Sequence, residues 1–137
     1  MRRLLFLLSI LFSINVYSQI IIDNTAPYNT ATYLIDNVLL GGGIVGSNHS
    51  FIGDPNQIGF FDGINSNIGI DSGIVLSTGD IYDIVGPNNS GGMGGEEWVL
   101  PGDITLDAVI SPDLTYDAAV LEFDFIPTSA TLSFKYV

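Results

Sequence analysis

The stretch LEFDFIPTSATLSFKY, residues 121–136, contains two runs of alternating apolar and polar side chains separated by the turn sequence PTSA. Alternation with a period of two is typical of β-strands that bury one face. In the register that places Phe123 opposite Phe134, Glu122 lies opposite Lys135 on the other face. A slip by one residue would separate the aromatic pair. The sequence therefore predicts a β-hairpin in this register.

Shorter apolar runs occupy the middle of the chain. Glycine, asparagine, aspartate and proline separate these runs every few residues, which is the pattern of short strands joined by tight turns. A glycine-rich stretch at 85–95 is expected to form a surface loop, because it has almost no apolar side chain to bury. The predicted strands cover residues 58–61, 68–70, 73–77 and 81–85.

Apolar side chains recur at helical spacing between residues 30 and 40, where Asn29 or Thr30 can cap the start of a helix and Gly41 can end it. The sequence therefore predicts a mainly β fold, a β-sandwich-like domain with one short N-terminal helix. The chain stops at Val137, inside the second alternating run of the predicted hairpin. We expect it to be the N-terminal part of a longer protein, with an incomplete core.

Residues 1–18 have the features of a secretory signal peptide. Two arginines near the start precede an apolar run at residues 4–12, and Val16 and Ser18 occupy the positions that a signal peptidase reads. The apolar run is about half of the roughly 20 residues that a membrane-spanning helix needs. We expect the leader to be removed and residues 19–137 to form one exported domain, secreted or at the outer cell surface, with no transmembrane segment.

Charge and cysteine content exclude several classes of partner and site. The chain has 15 Asp and Glu against 3 Lys and Arg, a formal net charge of −12. Such a charge repels phosphate backbones, so nucleic acid is excluded as a partner. The chain has no cysteine, so it has no disulfide and no thiolate metal site. A bound cation would need oxygen ligands, for which calcium is the natural candidate outside cells.

Several aspartates lie in turns rich in asparagine and glycine, where carboxylate and backbone oxygens can converge on calcium. No segment has the EF-hand spacing. The alternative is that these side chains only cap their own turns. The candidate metal ligands are Asp80, Asp83, Asp103 and Asp107.

The sequence contains few residues suited to catalysis. His49 is the single histidine, no serine lies in a G-x-S-x-G motif, and the polar run around His49 favours a solvated turn. Glu122 and Asp124 share one face of a strand, roughly 6.8 Å apart along it. Carboxylates so placed cannot flank a glycosidic bond from both sides. We therefore predict no catalytic residues, and a solvated outer face for this acidic pair.

Five segments, taken in order, resemble the choice-of-anchor L domain. Together they extend over nearly all of residues 19–137. Family members continue beyond the equivalent of Val137 with a Phe-x-Ser-Glu-Glu-Tyr stretch, in agreement with a truncated chain. The segments are NVLLGGG (37–43), IGFFD (58–62), GIVLSTGD (73–80), GPN (86–88) and DAAVLEFDF (117–125).

The resemblance implies an exported or cell-surface module of a long, adhesin-like protein, notably of Bacteroidota. It implies export by a type IX secretion route, through a C-terminal sorting signal that this fragment lacks, and no particular ligand or catalytic residue. We expect a non-catalytic adhesion or interaction module that binds an extracellular glycan or protein surface through its loops, where Trp98 could stack on a sugar. The alternatives are a glycan-active hydrolase and a calcium-dependent carbohydrate-binding domain.

Overall fold

The computed structural model describes residues 19–41, 43–91 and 100–137. The predicted signal peptide at 1–18, Trp98 and part of the predicted loop at 85–95 lie outside these residues. Within the described part the chain forms two antiparallel sheets and two short α-helices, which confirms the prediction of a mainly β fold. The strands are β1 (Ile21–Asp23), β2 (Gly46–Ile52), β3 (Ile58–Asp62), β4 (Ser72–Leu76) and β5 (Val120–Phe125).

The larger sheet has the strand order β1-β3-β4. Strand β3 is central, with Phe61 opposite Ile22 on β1 and opposite Gly73 on β4. The ring of Phe61 covers Gly73, where a β-carbon would lie within 3 Å of it. The strands predicted at 58–61 and 73–77 are therefore confirmed. Each is a short apolar run with a turn on either side, which is the pattern typical of a strand.

The smaller sheet pairs β2 with β5, and this pairing contradicts the predicted hairpin. Glu122 lies opposite Ser50 on β2, while residues 131–137 form no strand and Lys135 does not lie opposite Glu122. Phe51 of β2 lies opposite Leu121, and residues 133–137 lie beside Val38 and Ile74 instead, where their apolar side chains have other apolar neighbours. The alternating pattern of β5 is real, but its partner comes from a distant part of the chain.

The predicted N-terminal helix is present. Helix α1 (Ala31–Leu34) begins after Thr30, whose hydroxyl oxygen accepts a hydrogen bond from the backbone N–H of Tyr33 at 3.4 Å. A π-helical turn (Ile35–Leu39) continues it and ends at Leu40. This element contacts both β2 and β4, so it joins the two sheets.

A second helix, α2 (Ile104–Ile110), is present that the sequence analysis did not predict. The side chain of Asp103 caps it by accepting hydrogen bonds from the backbone N–H groups of Thr105 and Leu106, both at 2.9 Å. A carboxylate at this position satisfies N–H groups that the first turn leaves without partners. None of the residues of α2 is buried.

Two further strand predictions are wrong. Residues 68–70 form a bend, in which Gly69 has a φ of +80° that a strand does not allow. Residues Ile81–Val85 form a 3-10 helix, because Asp80 accepts a hydrogen bond from the N–H of Tyr82 at 2.8 Å and caps a helical turn. Both segments still bury apolar side chains, which explains why their composition resembled that of strands.

The main core lies against the larger sheet. Ile22, Phe61 and Ile81 form a buried cluster, and partly buried apolar side chains from the bend at 68–70 pack around it. Leu34 of helix α1 and Ile35 of the π-helical turn are fully buried. The smaller sheet, by contrast, has one largely polar and accessible face.

Candidate functional site

A β-bulge distorts β2 in the middle of the smaller sheet. Ser47 pairs with Asp124 and Ser50 pairs with Glu122, so Asn48 and His49 together lie opposite a single residue of β5. Asn48 adopts a φ of +52°, the left-handed region that asparagine tolerates better than most residues. Bulges change the direction of side chains along a strand. Here the bulge sends its two polar side chains to different surroundings.

The side chain of Asn48 turns towards the acidic pair of β5. Its Nδ2 donates a hydrogen bond to Oδ2 of Asp124 at 2.6 Å. Glu122 and Asp124 are exposed on the same face of the strand, as the sequence predicts. Among the described residues neither carboxylate pairs with a cationic side chain, because the only ion pair found there joins His49 to Asp36.

These groups line an open cavity of about 480 Å³ on the polar face of the smaller sheet. The cavity has the size of a small-ligand site, but it is shallow and open to solvent. Its carboxylates can accept hydrogen bonds, and its amide and hydroxyl groups can donate or accept them. We call it the polar face site; it is lined by Asn48, Ser50, Leu121, Glu122, Phe123 and Asp124.

His49 does not line the polar face site. Its side chain is only 10% exposed. Its Nε2 lies 3.2 Å from Oδ1 of Asp36 in the π-helical turn, but the two atoms are not aligned as in a hydrogen bond. Asp36 Oδ1 also accepts a hydrogen bond from the backbone N–H of Gly46 at 3.2 Å. The prediction that His49 lies in a solvated turn is therefore wrong, because β2 places it against the helix.

Glycine is required at position 46, where the side chains of His49 and Asp36 meet. A β-carbon at this position would overlap Nε2 of His49 and would lie 2.8 Å from Oδ1 of Asp36. The absence of a side chain lets β2 approach the helix closely enough for the histidine and the aspartate to meet. The histidine is thus part of the packing between strand and helix.

Two of the four candidate calcium ligands belong to the 3-10 helix. Asp80 is its N-cap, and Asp83 lies in its first turn. An acidic residue in the first turn is favourable beside the partial positive charge of a helix N-terminus. These two aspartates therefore have a structural role in their own turn, which is the alternative that the sequence left open.

The other two candidates, Asp103 and Asp107, meet at Thr115. Asp107 Oδ1 accepts hydrogen bonds from the hydroxyl of Thr115 at 2.7 Å and from its backbone N–H at 2.6 Å. These bonds stabilise the carboxylate and lower the pKa of Asp107 below its ordinary value of 3.8, the side-chain bond having the larger effect. The hydroxyl of Thr115 in turn accepts from the N–H of Asp103 at 2.8 Å.

The aspartates do not assemble into a metal cluster in the part of the chain that the structure describes. No three histidine, aspartate or glutamate side chains converge there in a way that could hold an ion. Calcium binding by Asp80, Asp83, Asp103 or Asp107 stays a prediction.

Asn48 and Ser50 are the site residues that sequence reasoning missed. The run GSNHS at 46–50 has no strand pattern, because the bulge breaks the alternation of polar and apolar residues. Its cross-strand partner also lies more than 70 residues away, so no local signal connects it to the acidic pair. An asparagine in a polar run is compatible with left-handed φ, but many surface turns share that feature.

Comparison with known proteins identifies a family for nearly the whole described part of the chain. A family model described as the Choice-of-anchor L domain matches residues 22–137. No curated protein and no solved structure matches the chain. None of the helices among residues 19–41, 43–91 and 100–137 is long and apolar enough to cross a membrane.

Proposed function

Because the chain belongs to the choice-of-anchor L domain family, which indicates a cell-surface-associated, extracellular module, we propose that it is a non-catalytic adhesion module that binds a neutral extracellular glycan at the polar face site. The observation that carries the proposal is the exposed pair Glu122 and Asp124, held beside Asn48 without a cationic partner among the described residues. Carboxylates in this state are strong acceptors for hydroxyl groups.

The site fits a hydroxyl-rich ligand better than a charged one. Asn48 fixes the orientation of Asp124 before any ligand arrives, which reduces the entropy lost on binding. The net charge of −12 disfavours anionic polysaccharides, since like charges repel over a Debye length of about 8 Å in physiological salt. A neutral oligosaccharide can instead donate its hydroxyls to both carboxylates and accept from the hydroxyl of Ser50.

The same geometry supports binding without turnover. Glu122 and Asp124 project from one face of one strand, so they cannot lie on opposite sides of a glycosidic bond. His49, the single base that could activate a nucleophile, packs against Asp36 and does not line the site. The choice-of-anchor L family is also not known as an enzyme family.

The expected route to the cell surface is consistent with this function. The leader predicted at residues 1–18 would export the domain, and the family resemblance implies type IX secretion in a member of the Bacteroidota. In the alternative form of the proposal, glycan binding depends on bound calcium. Adding calcium and a chelator in parallel titrations distinguishes the two forms.

Isothermal titration with a panel of neutral oligosaccharides tests the proposal. For the oligosaccharide that binds, E122Q and D124N should each weaken binding about tenfold, because loss of one charge-assisted hydrogen bond costs about 1.5 kcal/mol or more. The matched control is D113N, which removes an exposed aspartate that does not line the site. Equal affinities for all four proteins, no binding to any member of the panel, or hydrolysis of an oligosaccharide would refute the proposal.

A further inference from the structure

His49 has a buried nitrogen that lacks a hydrogen-bond partner among the described residues. Its Nε2 lies 3.2 Å from Oδ1 of Asp36, without the alignment of a hydrogen bond. Buried polar atoms are hydrogen-bonded in most proteins, so an exception calls for a physical cause. A neutral imidazole leaves this atom unpaired beside a carboxylate, whereas a protonated imidazole places a positive charge there. The position therefore suits the protonated ring.

Among the described residues, Asp36 is the only acidic side chain within ion-pair distance of His49. An ion pair depends on the distance between the charges and needs no hydrogen-bond alignment, so 3.2 Å is close enough for a strong attraction. The other titratable side chains on the elements packed against β2 lie elsewhere. Tyr33 of α1 packs edge-on against another tyrosine ring, and Glu122 and Asp124 of β5 are exposed at the polar face site. Protonation of His49 therefore acts through Asp36.

The same imidazole belongs to the bulge that positions Asn48. Asn48 and His49 are the two consecutive residues of the bulge, and Asn48 keeps a φ of +52°. A residue in this sparsely populated region stays there only where the surrounding structure fixes it. Two contacts hold the bulge: Nδ2 of Asn48 donates to Asp124 on β5 at 2.6 Å, and His49 meets Asp36 on the π-helical turn. Both contacts thus constrain one short segment of backbone.

We propose that His49 is a positioning residue of the polar face site: its protonated imidazole pairs with Asp36, and this pair holds the bulge in the conformation in which Asn48 meets Asp124. Histidine ordinarily changes its charge between about pH 5 and 8. The stabilisation by the pair is present at low pH and is lost as the pH rises through this range. The oriented form of Asn48 then becomes less populated. For ligand binding the inference rests on the proposed function, and it makes glycan affinity fall as the pH rises.

Thermal unfolding tests the pair without any glycan. His49 is the only histidine in the chain, and carboxylates are ordinarily ionised at pH values of about 5.5 and 8. The Tm of the unmodified protein should be about 3 °C higher at the lower pH. D36N removes the partner charge and keeps the shape of the side chain, so its Tm should differ less between the two pH values. D113N, at an exposed position, makes the same change in net charge and should behave like the unmodified protein. The α-amino group also titrates near the higher pH, but all three proteins share it.

A double-mutant cycle tests whether the pair positions Asn48. At the lower pH, N48A should lower the Tm of the unmodified protein. In the D36N background its effect should be no more than about half as large, because the bulge is already released there. In the D113N background the full effect should remain. Additive effects of N48A and D36N, or a Tm of D36N that depends on pH as strongly as that of the unmodified protein, overturn the proposal.

Glycan affinity separates this inference from the proposed function. The neutral oligosaccharide that binds the unmodified protein should bind about threefold more tightly at the lower pH, because apparent affinity follows the population of the oriented form. D36N should lose that difference, and D113N should keep it. Equal affinities of the unmodified protein at both pH values overturn the positioning role of His49. No binding at either pH refutes the proposed function, and the unfolding experiments then decide whether His49 holds Asn48.

Discussion

The side chain of Gln57 bridges two loops from inside the protein: its Nε2 donates a hydrogen bond to the backbone carbonyl oxygen of Asp117 at 2.9 Å. Its Oε1 accepts from the backbone N–H of Asp54 at 2.7 Å, in a capping box. Gln57 is the one fully buried polar residue in the described part of the chain. Asp117 in turn accepts a hydrogen bond from the N–H of Leu100 at 2.7 Å. The amide therefore holds the entry to β5 in place.

Replacing this amide should destabilise the whole domain. Q57L leaves the half-buried N–H of Asp54 and the half-buried carbonyl of Asp117 without partners, each at a cost of about 1 to 3 kcal/mol. We expect the free energy of unfolding in urea to fall by about 3 kcal/mol. Q19L is the matched control, since Gln19 is exposed, and it should change stability by less than about 0.5 kcal/mol. Equal effects of the two substitutions would show that Gln57 is not a structural bridge.

Gly102 should not tolerate a side chain. A β-carbon there would overlap both the backbone carbonyl oxygen and the hydroxyl of Thr115. Backbone cannot move aside cheaply, so G102A should destabilise the protein by roughly 2 kcal/mol, measured as a lower Tm. G41A is the control, because nothing lies within 4 Å of a β-carbon at Gly41. If G102A melts at the same temperature as G41A, the close contact between Gly102 and Thr115 is absent in solution.

The hydrogen bonds of Thr115 should make stability depend on pH through Asp107. Because the pKa of Asp107 is lowered in the folded state, its contribution is fully present above the unfolded value of about 3.8 and is lost as the pH falls through the folded pKa. T115V removes the hydroxyl donor, so the pKa of Asp107 should rise towards 3.8. A carboxyl NMR titration measures this shift directly.

Asp23 provides the internal control for that titration. Its pKa is lowered by hydrogen bonds from the backbone N–H and the hydroxyl of Thr25, which T115V does not touch. The Asp23 titration should therefore stay where it is in the T115V protein. A simultaneous shift of both aspartates, or of neither, would contradict the assignment of the Asp107 effect to the Thr115 hydroxyl.

Elements defined by local signals could be predicted from the sequence. The first helix has its cap at Thr30 and its apolar periodicity, and β3 and β4 are short apolar runs between turns. For each of these elements the information lies within about ten residues of the element itself. The family resemblance depends instead on five ordered motifs spread along the chain, and the family match confirms it.

The wrong predictions arise where two local signals compete, or where a residue distant in sequence determines the strand pairing. Asp80 caps a 3-10 helix in a run that otherwise has strand composition. Helix α2 has the sequence ITLDAVI, whose β-branched residues have low helix propensity, and the cap at Asp103 compensates for them. The alternation in β5 specifies a strand, but Phe51 and Phe134 are both suitable neighbours for its apolar side. Only the folded chain shows that β2 pairs with it.

The polar face site depends on such a distant contact, and only its acidic pair could be predicted from the sequence. The sequence identified Glu122 and Asp124 as exposed on one face of a strand, which the structure confirms. The bulge that brings Asn48 to Asp124 has no sequence signature. N48A should therefore weaken glycan binding, with Asp124 still present but no longer oriented. Asn67 offers the control, N67A, because it is an exposed asparagine that does not line the site.

Glycan binding at the polar face site is tested most directly by a residue-resolved NMR titration of the full chain with the neutral oligosaccharide that binds it. Amide shifts should concentrate at residues 47–50 and 121–124 and saturate together, while the oligosaccharide stays intact. Shifts confined to other surfaces, such as the 3-10 helix at Ile81–Val85, or progressive cleavage of the oligosaccharide would contradict non-catalytic binding at the polar face site.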